Sequence, residues 1–260
     1  MTYGWISLTT DFGLSDGFVA ALHGVIARHA PTVRVIDVTH DVHPGDIARG
    51  SAVLAQTVPH LPAAVHVAVV DPGVGTRRRG VALSTPAGLL VGPDNGLLPP
   101  AADALGGITG AVELTNAEWH GRSVAATFHG RDIFAPVAAR LALGVPLAHA
   151  GTRLDPASLV RLPPPVVTVG DGYVEAEVLT VDRYGNVQLA ATAESLAGLG
   201  ERVVVGGMRA VRRATFGEVA RGELLVFGDS AGHAAVAING GRAVVALGVE
   251  PGDVLRVSTA

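Results

Sequence analysis

Apolar positions in the first half of the chain switch repeatedly between two patterns. "GWISLTT" (Gly4–Thr10), "VRVIDVT" (Val33–Thr39) and "AVHVAVVD" (Ala64–Asp71) are short apolar runs with β-branched residues, the pattern of buried strands. Between them, "DGFVAALHGVIARHA" (Asp16–Ala30) and "DIARGSAVLAQTVPHL" (Asp46–Leu61) carry apolar residues three and four apart, the pattern of helices buried on one face. "GVALSTPAGLLVGPDNGLL" (Gly80–Leu98) reads as a hairpin turning at "TPAG", followed by a loop, and "GRDIFAPVAARLALG" (Gly130–Gly144) as a further helix. Strands alternating with helices predict an α/β region with a mainly parallel sheet in Rossmann-like layers.

The texture changes at "RLPPPVV" (Arg161–Val167). Three successive prolines fit neither a helix interior nor a central strand, so they predict a stiff connector. Beyond it, "VVTVGDGYVEAEVLTVDRYGNVQLA", "ERVVVGG", "GELLVFGD", "HAAVAING" and "DVLRVST" are short strand-like pieces separated by glycine turns. The expected division is an α/β domain over 1–162 and an all-β, barrel-like domain over 166–260.

Composition narrows the function classes. The 260 residues are 48% hydrophobic and 16% charged, with a net charge of −4. That balance excludes a disordered chain and gives no basic face for nucleic acid. The apolar runs are too short to span a bilayer, the N-terminus does not read as a signal peptide, and there is no cysteine for disulfide or thiolate chemistry. A cytoplasmic protein is expected, with no membrane and no nucleic acid among its partners.

Candidate chemistry gathers at the predicted strand ends. Asp11, Asp41 and Asp71 each follow a strand, and Asp94 lies in the loop after the hairpin. In an open parallel sheet, ligands bind beyond the carboxyl ends of the strands. Aspartate is also a common turn residue, so each has a structural reading as well. His129 in "TFHGRDIF" stands just before a helix beside Arg131 and Asp132, as either a cap or a reacting group. "GDSAG" (Gly228–Gly232) has the spacing of a serine nucleophile elbow, but a strand-like segment follows it and no later histidine is suitably placed. A divalent metal on Asp11, Asp41, Asp71 and His129 is an alternative that no short-spaced ligand pair supports.

The ordered motifs "LTTDFGLSDGFVAALHGVI", "VIDVTHDVHPGDI", "VVDPGVGTRRRG", "VGPDNGLL", "TFHGRDIFAP", "VDRYGNVQL" and "GDSAGHAAVAINGG" resemble those of the S-adenosylmethionine hydroxide adenosyltransferase family, relatives of fluorinase and chlorinase. The resemblance implies hydrolysis of S-adenosyl-L-methionine to adenosine and L-methionine, with no cofactor and no metal. It also implies a homotrimer whose sites join the first domain of one subunit to the second domain of its neighbour. It places the catalytic triad on Asp71, Arg78 and His129. By the same resemblance Asp11 binds the ribose hydroxyls, Asp182 the methionine ammonium and Asn186 the adenine, while Tyr184 lies near the base and Ser230 near the methionine carboxylate. Two positions depart from the pattern: Gly45 stands where relatives carry an aromatic residue, and Phe18 where the halogenases carry a small polar one. A non-catalytic adenosine- or S-adenosylmethionine-binding module is the rival reading, but it has no use for the triad.

Overall fold

The computed structural model describes all 260 residues, which fall into two compact units, Met1–Leu162 and Pro163–Ala260. In the first, β1 (Trp5–Thr10), α1 (Phe18–His29), β2 (Arg34–Thr39), α2 (Ile47–Thr57) and β3 (Val65–Val69) alternate as the apolar periodicity predicts. Then come β4 (Gly80–Ser84), β5 (Leu89–Pro93), α3 (Pro99–Ala104), β6 (Gly110–Glu113), α4 (Ala135–Ala142) and β7 (Thr152–Leu154). The helix ends follow local chemistry. The Asp46 side chain caps α2 by accepting from the Arg49 N–H at 2.9 Å, and Arg28 lies in the last turn of α1, where positive charge suits the helix dipole.

The seven strands form one sheet in the order β2-β1-β3-β5-β4-β6-β7. β2, β1, β3 and β5 run parallel, but β4, β6 and β7 pair antiparallel, so three of the six pairings depart from the mainly parallel sheet expected. The cause is the hairpin. The turn at Thr85–Gly88 is too short for a crossover, so β4 and β5 must run in opposite directions. β5 then inserts between β3 and β4. Val67 and Val69 of β3 pack in one core with Leu22 and Ile26 of α1 and Val137 and Leu141 of α4. The alternate residues Ala68 and Val70 pack in another core with Leu54 of α2 and Leu98, Ala101 and Ala102 at α3. Alternation along a strand puts these two cores on opposite faces of the sheet.

The second unit holds β8 (Val167–Gly170), β9 (Tyr173–Val181), β10 (Val187–Thr192), β11 (Arg202–Val205), β12 (Met208–Arg212), β13 (Leu224–Gly228), β14 (His233–Ile238), α5 (Ala243–Leu247) and β15 (Val254–Thr259). The order β10-β14-β13-β12-β11-β15-β9, with β9 paired back to β10, closes a seven-stranded barrel, and β8 adds to the outer side of β9. Alternation along β9 sends Val174, Ala176 and Val178 into its core with Val187, Leu189, Val203 and Val257. The one-turn helix α5 is absent from the all-β expectation, because five residues are too few to show a helical period. No helix in either unit is long and apolar enough to cross a membrane.

Candidate active site

In the first unit the parallel strands deliver their C-terminal loops to one edge of the sheet. Thr10 pairs with Val69 in the β1–β3 register, so Asp11 and Asp71 leave the sheet almost level with one another. The loops after β1 and β2 are tied together. The Gly45 N–H donates to Asp11 Oδ2 at 2.9 Å, Thr10 Oγ1 meets His40 Nδ1 at 2.8 Å, and the Gly13 N–H donates to the His40 carbonyl at 2.8 Å. Gly45 has a φ of +76°, and a Cβ built on it would lie 3.8 Å from the Pro72 Cβ. Asp11 is thereby brought to the loop that carries Asp71. The left-handed backbone also explains why glycine suits position 45 here, since an aromatic residue in this conformation would be strained.

The three arginines after Asp71 have three separate fates. Arg77 is exposed. Arg78 Nε donates to both Asp71 oxygens, at 3.0 and 2.9 Å, and Nη2 donates to Asp71 Oδ2 and, at 2.8 Å, to His129 Nδ1. Arg79 Nε donates to the buried Asp94 at 2.8 Å, and Asp94 also accepts from the Val160 N–H at 2.9 Å. Asp94 is therefore committed to a structural clamp. Asp41 is exposed in a turn, its N–H donating to Thr39 Oγ1 at 3.1 Å. Of the other strand-end carboxylates, Asp11 accepts from Gly45, whose built Cβ lies against Pro72 beside Asp71. Asp11, Asp41, Asp71 and His129 do not form a group able to hold a metal ion.

His129 precedes a single π-type turn, Gly130–Phe134, that leads into α4. Asp132 in that turn accepts from Arg131 Nε at 2.7 Å and from the Ala125 N–H at 2.9 Å, which fixes the loop before His129. The Asp71–Arg78 loop is set against that segment by Gly75. Its φ is +76°, and a Cβ there would lie 2.4 Å from the Ala126 carbonyl oxygen. Arginine has no acceptor, so His129 Nδ1 must accept, and the neutral ring keeps its proton on Nε2. Burial and the neighbouring Arg78 hold the His129 pKa below its usual value, outweighing the opposite pull of Asp71 and Asp132. The site thus presents a neutral imidazole N–H, a guanidinium and a carboxylate joined in one hydrogen-bonded chain.

The second unit holds the other candidates in two turns. Asp182 organises the β9–β10 turn: Oδ1 accepts from the Tyr184 and Asn186 N–H groups at 2.9 and 2.8 Å, and Oδ2 from Asn186 Nδ2 at 2.7 Å. With Nδ2 engaged, Asn186 turns its Oδ1 the other way, while Tyr184 is 75% exposed. Ser230 lies in the β13–β14 turn, where Asp229 Oδ1 accepts from the Ala231 and His233 N–H groups, both at 2.9 Å. A strand follows this turn, so it lacks the helix of a nucleophile elbow. Because β10 and β14 are antiparallel, the two turns sit at opposite ends of that strand pair. Asp182, Tyr184 and Asn186 share one turn, and Ser230 lies in the other. Gln188 connects the two ends, its Nε2 donating to Asp229 Oδ2 at 2.5 Å. Gln188, Asp229 and His40 are supporting residues that the motifs did not single out. The doublet "HD" after β2 is the one sequence signal that points to His40.

A model of the SAM hydroxide adenosyltransferase N-terminal domain matches residues 6–151, and one of the C-terminal domain of the same family matches 176–256. The chain is 67% identical to an (R)-S-adenosyl-L-methionine hydrolase of Salinispora tropica, over 98% of this chain and 97% of that one. It is 26% identical to a fluorinase of Actinopolyspora mzabensis, over 75% and 74% of the two chains. A crystal structure of an uncharacterized conserved protein from Thermotoga maritima superposes with a TM-score of 0.91 at 37% identity, covering 97% of this chain and 99% of the other. With both domain models matched in order, this chain belongs to the SAM hydroxide adenosyltransferase family.

Proposed function

We propose that the protein hydrolyses S-adenosyl-L-methionine to adenosine and L-methionine. The observation that carries this reading is the hydrogen-bonded chain Asp71–Arg78–His129, with Asp11 held by Gly45 in the neighbouring loop. A water oxygen attacks the ribose C5′ as the C5′–S bond breaks, and the bonding pair goes to sulfur, which leaves as the neutral thioether of methionine. The positive charge already makes sulfur a good leaving group, so the step needs no acid catalyst, cofactor or metal. What it needs is a positioned water and a place for the proton that water loses.

These tasks divide among the three residues. His129 Nε2–H is a donor and holds the water oxygen, Arg78 stabilises the hydroxide character that develops there, and Asp71 receives the proton. Asp11 holds the ribose hydroxyls. In the second unit Asn186 offers its Oδ1 to the adenine amine, Asp182 meets the methionine ammonium, Tyr184 lies by the base and Ser230 by the carboxylate. The name of the Salinispora relative specifies the R sulfonium, a configuration that the motifs leave open, and we take R as the preferred epimer. A homotrimer belongs to the same proposal and has the family resemblance as its support; light scattering should give the mass of three chains.

The deciding experiment is incubation with each sulfonium epimer in EDTA, followed by chromatography. Adenosine and methionine in equal amounts, faster from the R form, are expected. Binding without turnover would favour the rival binding module, and activity restored only by a divalent ion would favour the metal-dependent alternative.

A further inference from the structure

One buried histidine ties together the two loops around Asp11. His40 directly follows β2 and is 5% exposed. Its Nδ1 lies 2.8 Å from Thr10 Oγ1, and that same oxygen accepts from the Phe12 N–H at 3.2 Å. The His40 carbonyl accepts from the Gly13 N–H at 2.8 Å. Thr10 precedes Asp11 in the chain, and Phe12 and Gly13 follow it. The side chain and backbone of one residue therefore hold the segment on both sides of that carboxylate. Further along the loop that His40 begins, the Gly45 N–H donates to Asp11 Oδ2 at 2.9 Å. The same loop thus also supplies the contact that orients the Asp11 side chain.

We infer that His40 is a positioning residue for ribose recognition, acting through Thr10 to aim the Asp11 carboxylate at the 2′ and 3′ hydroxyls of the substrate. The inference rests on the proposed hydrolase reading, in which Asp11 holds those hydroxyls. A buried imidazole loses its hydration, a loss that is offset only where its nitrogens find partners, so packing alone would be better served by leucine. His40 has a partner at each nitrogen. Asp37 Oδ1 lies 3.1 Å from Nε2, off the line of the ring N–H, and Asp37 is itself held by His23 Nε2 of α1 at 2.9 Å. Burial raises the Asp37 pKa, but the contacts with His23 and His40 outweigh it and hold the carboxyl below its ordinary value. An ionised carboxylate only accepts, so the neutral His40 ring carries its proton on Nε2, and Nδ1 accepts from the Thr10 hydroxyl. Thr10 Oγ1 then turns a lone pair to the Phe12 N–H. Polar contacts thus run from α1 and β2 to the backbone beside Asp11. Hydrogen bonds weaken steeply as they bend, so a carboxylate that serves two neighbouring hydroxyls needs this support.

The test measures, by calorimetry on the full chain, the binding of adenosine and of 2′,3′-dideoxyadenosine, which lacks both hydroxyls. Neither ligand is a sulfonium, so neither is consumed. The unmodified protein should prefer adenosine about tenfold or more, because hydrogen bonds to a charged group are at stake. His40→Leu fills the space without the ring nitrogens. It should reduce that preference at least about threefold and leave the dideoxy ligand nearly unaffected. His40→Asn sets an amide atom near the Nδ1 position and should restore the preference. Thr10→Val removes only the hydroxyl and should repeat the His40→Leu result, whereas Thr10→Ser should not, so the outcome does not depend on the folding of one variant. With S-adenosyl-L-methionine the same loss should fall on KM, with kcat little changed. Equal weakening of both ligands in His40→Leu and Thr10→Val, or an unchanged preference, would make His40 a packing residue and overturn the inference. So would the absence of any preference in the unmodified protein. Release of adenosine from S-adenosyl-L-methionine by the unmodified protein tests the hydrolase reading separately.

Discussion

At the scale of single residues, Arg78 has two partners, and each is tied to a different part of the chemistry. Replacing Arg78 by alanine removes the donor to His129 Nδ1 and leaves Asp71 without its guanidinium. Asp71→Asn, Arg78→Ala and His129→Ala should each lower kcat about a hundredfold or more, whereas Asp11→Ala should act mainly on KM. Steady-state kinetics on the four variants checks this, and unchanged kcat in His129→Ala would remove the imidazole from the mechanism. The pH dependence follows from the same hydrogen bond. Only the neutral ring can accept at Nδ1, and burial with Arg78 lowers the pKa. The acid limb of kcat should therefore have its midpoint below the ordinary histidine value of about 6.5, activity being lost as pH falls through it. The ordered motifs alone make Asp71 and His129 legible. What composition and spacing cannot tell is which of three adjacent arginines is the partner, because two of them pair with different carboxylates and only the folding of the loop, with its turn at Gly73–Thr76, decides their directions.

Among the elements, Gly75 is the joint between the two loops that hold the triad. Gly75→Ala meets both a left-handed backbone and the Ala126 carbonyl 2.4 Å from the new methyl group. The loops must separate, stretching the contact between Arg78 and His129. A loss of activity of at least tenfold is expected with circular dichroism unchanged, at a cost in stability of about 1–3 kcal/mol. Full activity in this variant would mean that the loops adjust freely. This contact joins residues 51 positions apart, so no local pattern announces it. The same reason hides the place of β5. Its existence and its hairpin with β4 are readable from "GVALSTPAGLLVG", but its insertion beside β3 depends on which edges remain free once the helices are packed. β7, three residues long, carries too little periodicity to be seen at all.

For the molecule as a whole, acid stability should be governed partly by a histidine that takes no part in the chemistry. His66 lies within the sheet, 2.8 Å from Ser7 Oγ, and burial lowers its pKa from 6.5 to about 4. Between these values the unfolded chain is protonated at this residue and the folded one is not, so stability falls as pH drops from about 6.5 to 4. The full effect is about 3 kcal/mol. Thermal melts across that range should show the decline, and His66→Gln should flatten it. The boundary between the two units, by contrast, is announced by "LPPPVV".

Closure of the second unit's sheet has a further consequence, for the backbone itself. In the ring β9 to β15, every strand has a neighbour on each side, so no row of amides is left to recruit another chain. The outer margin of β8 is the one open row, four residues long and entered from a proline run that cannot donate. A strand-exchanged fibril thus has almost no template to grow from. In heavy water, the outward amides of β8 should become deuterated long before those of the ring. After thermal unfolding, this half of the chain should return to solution instead of forming cross-β aggregates.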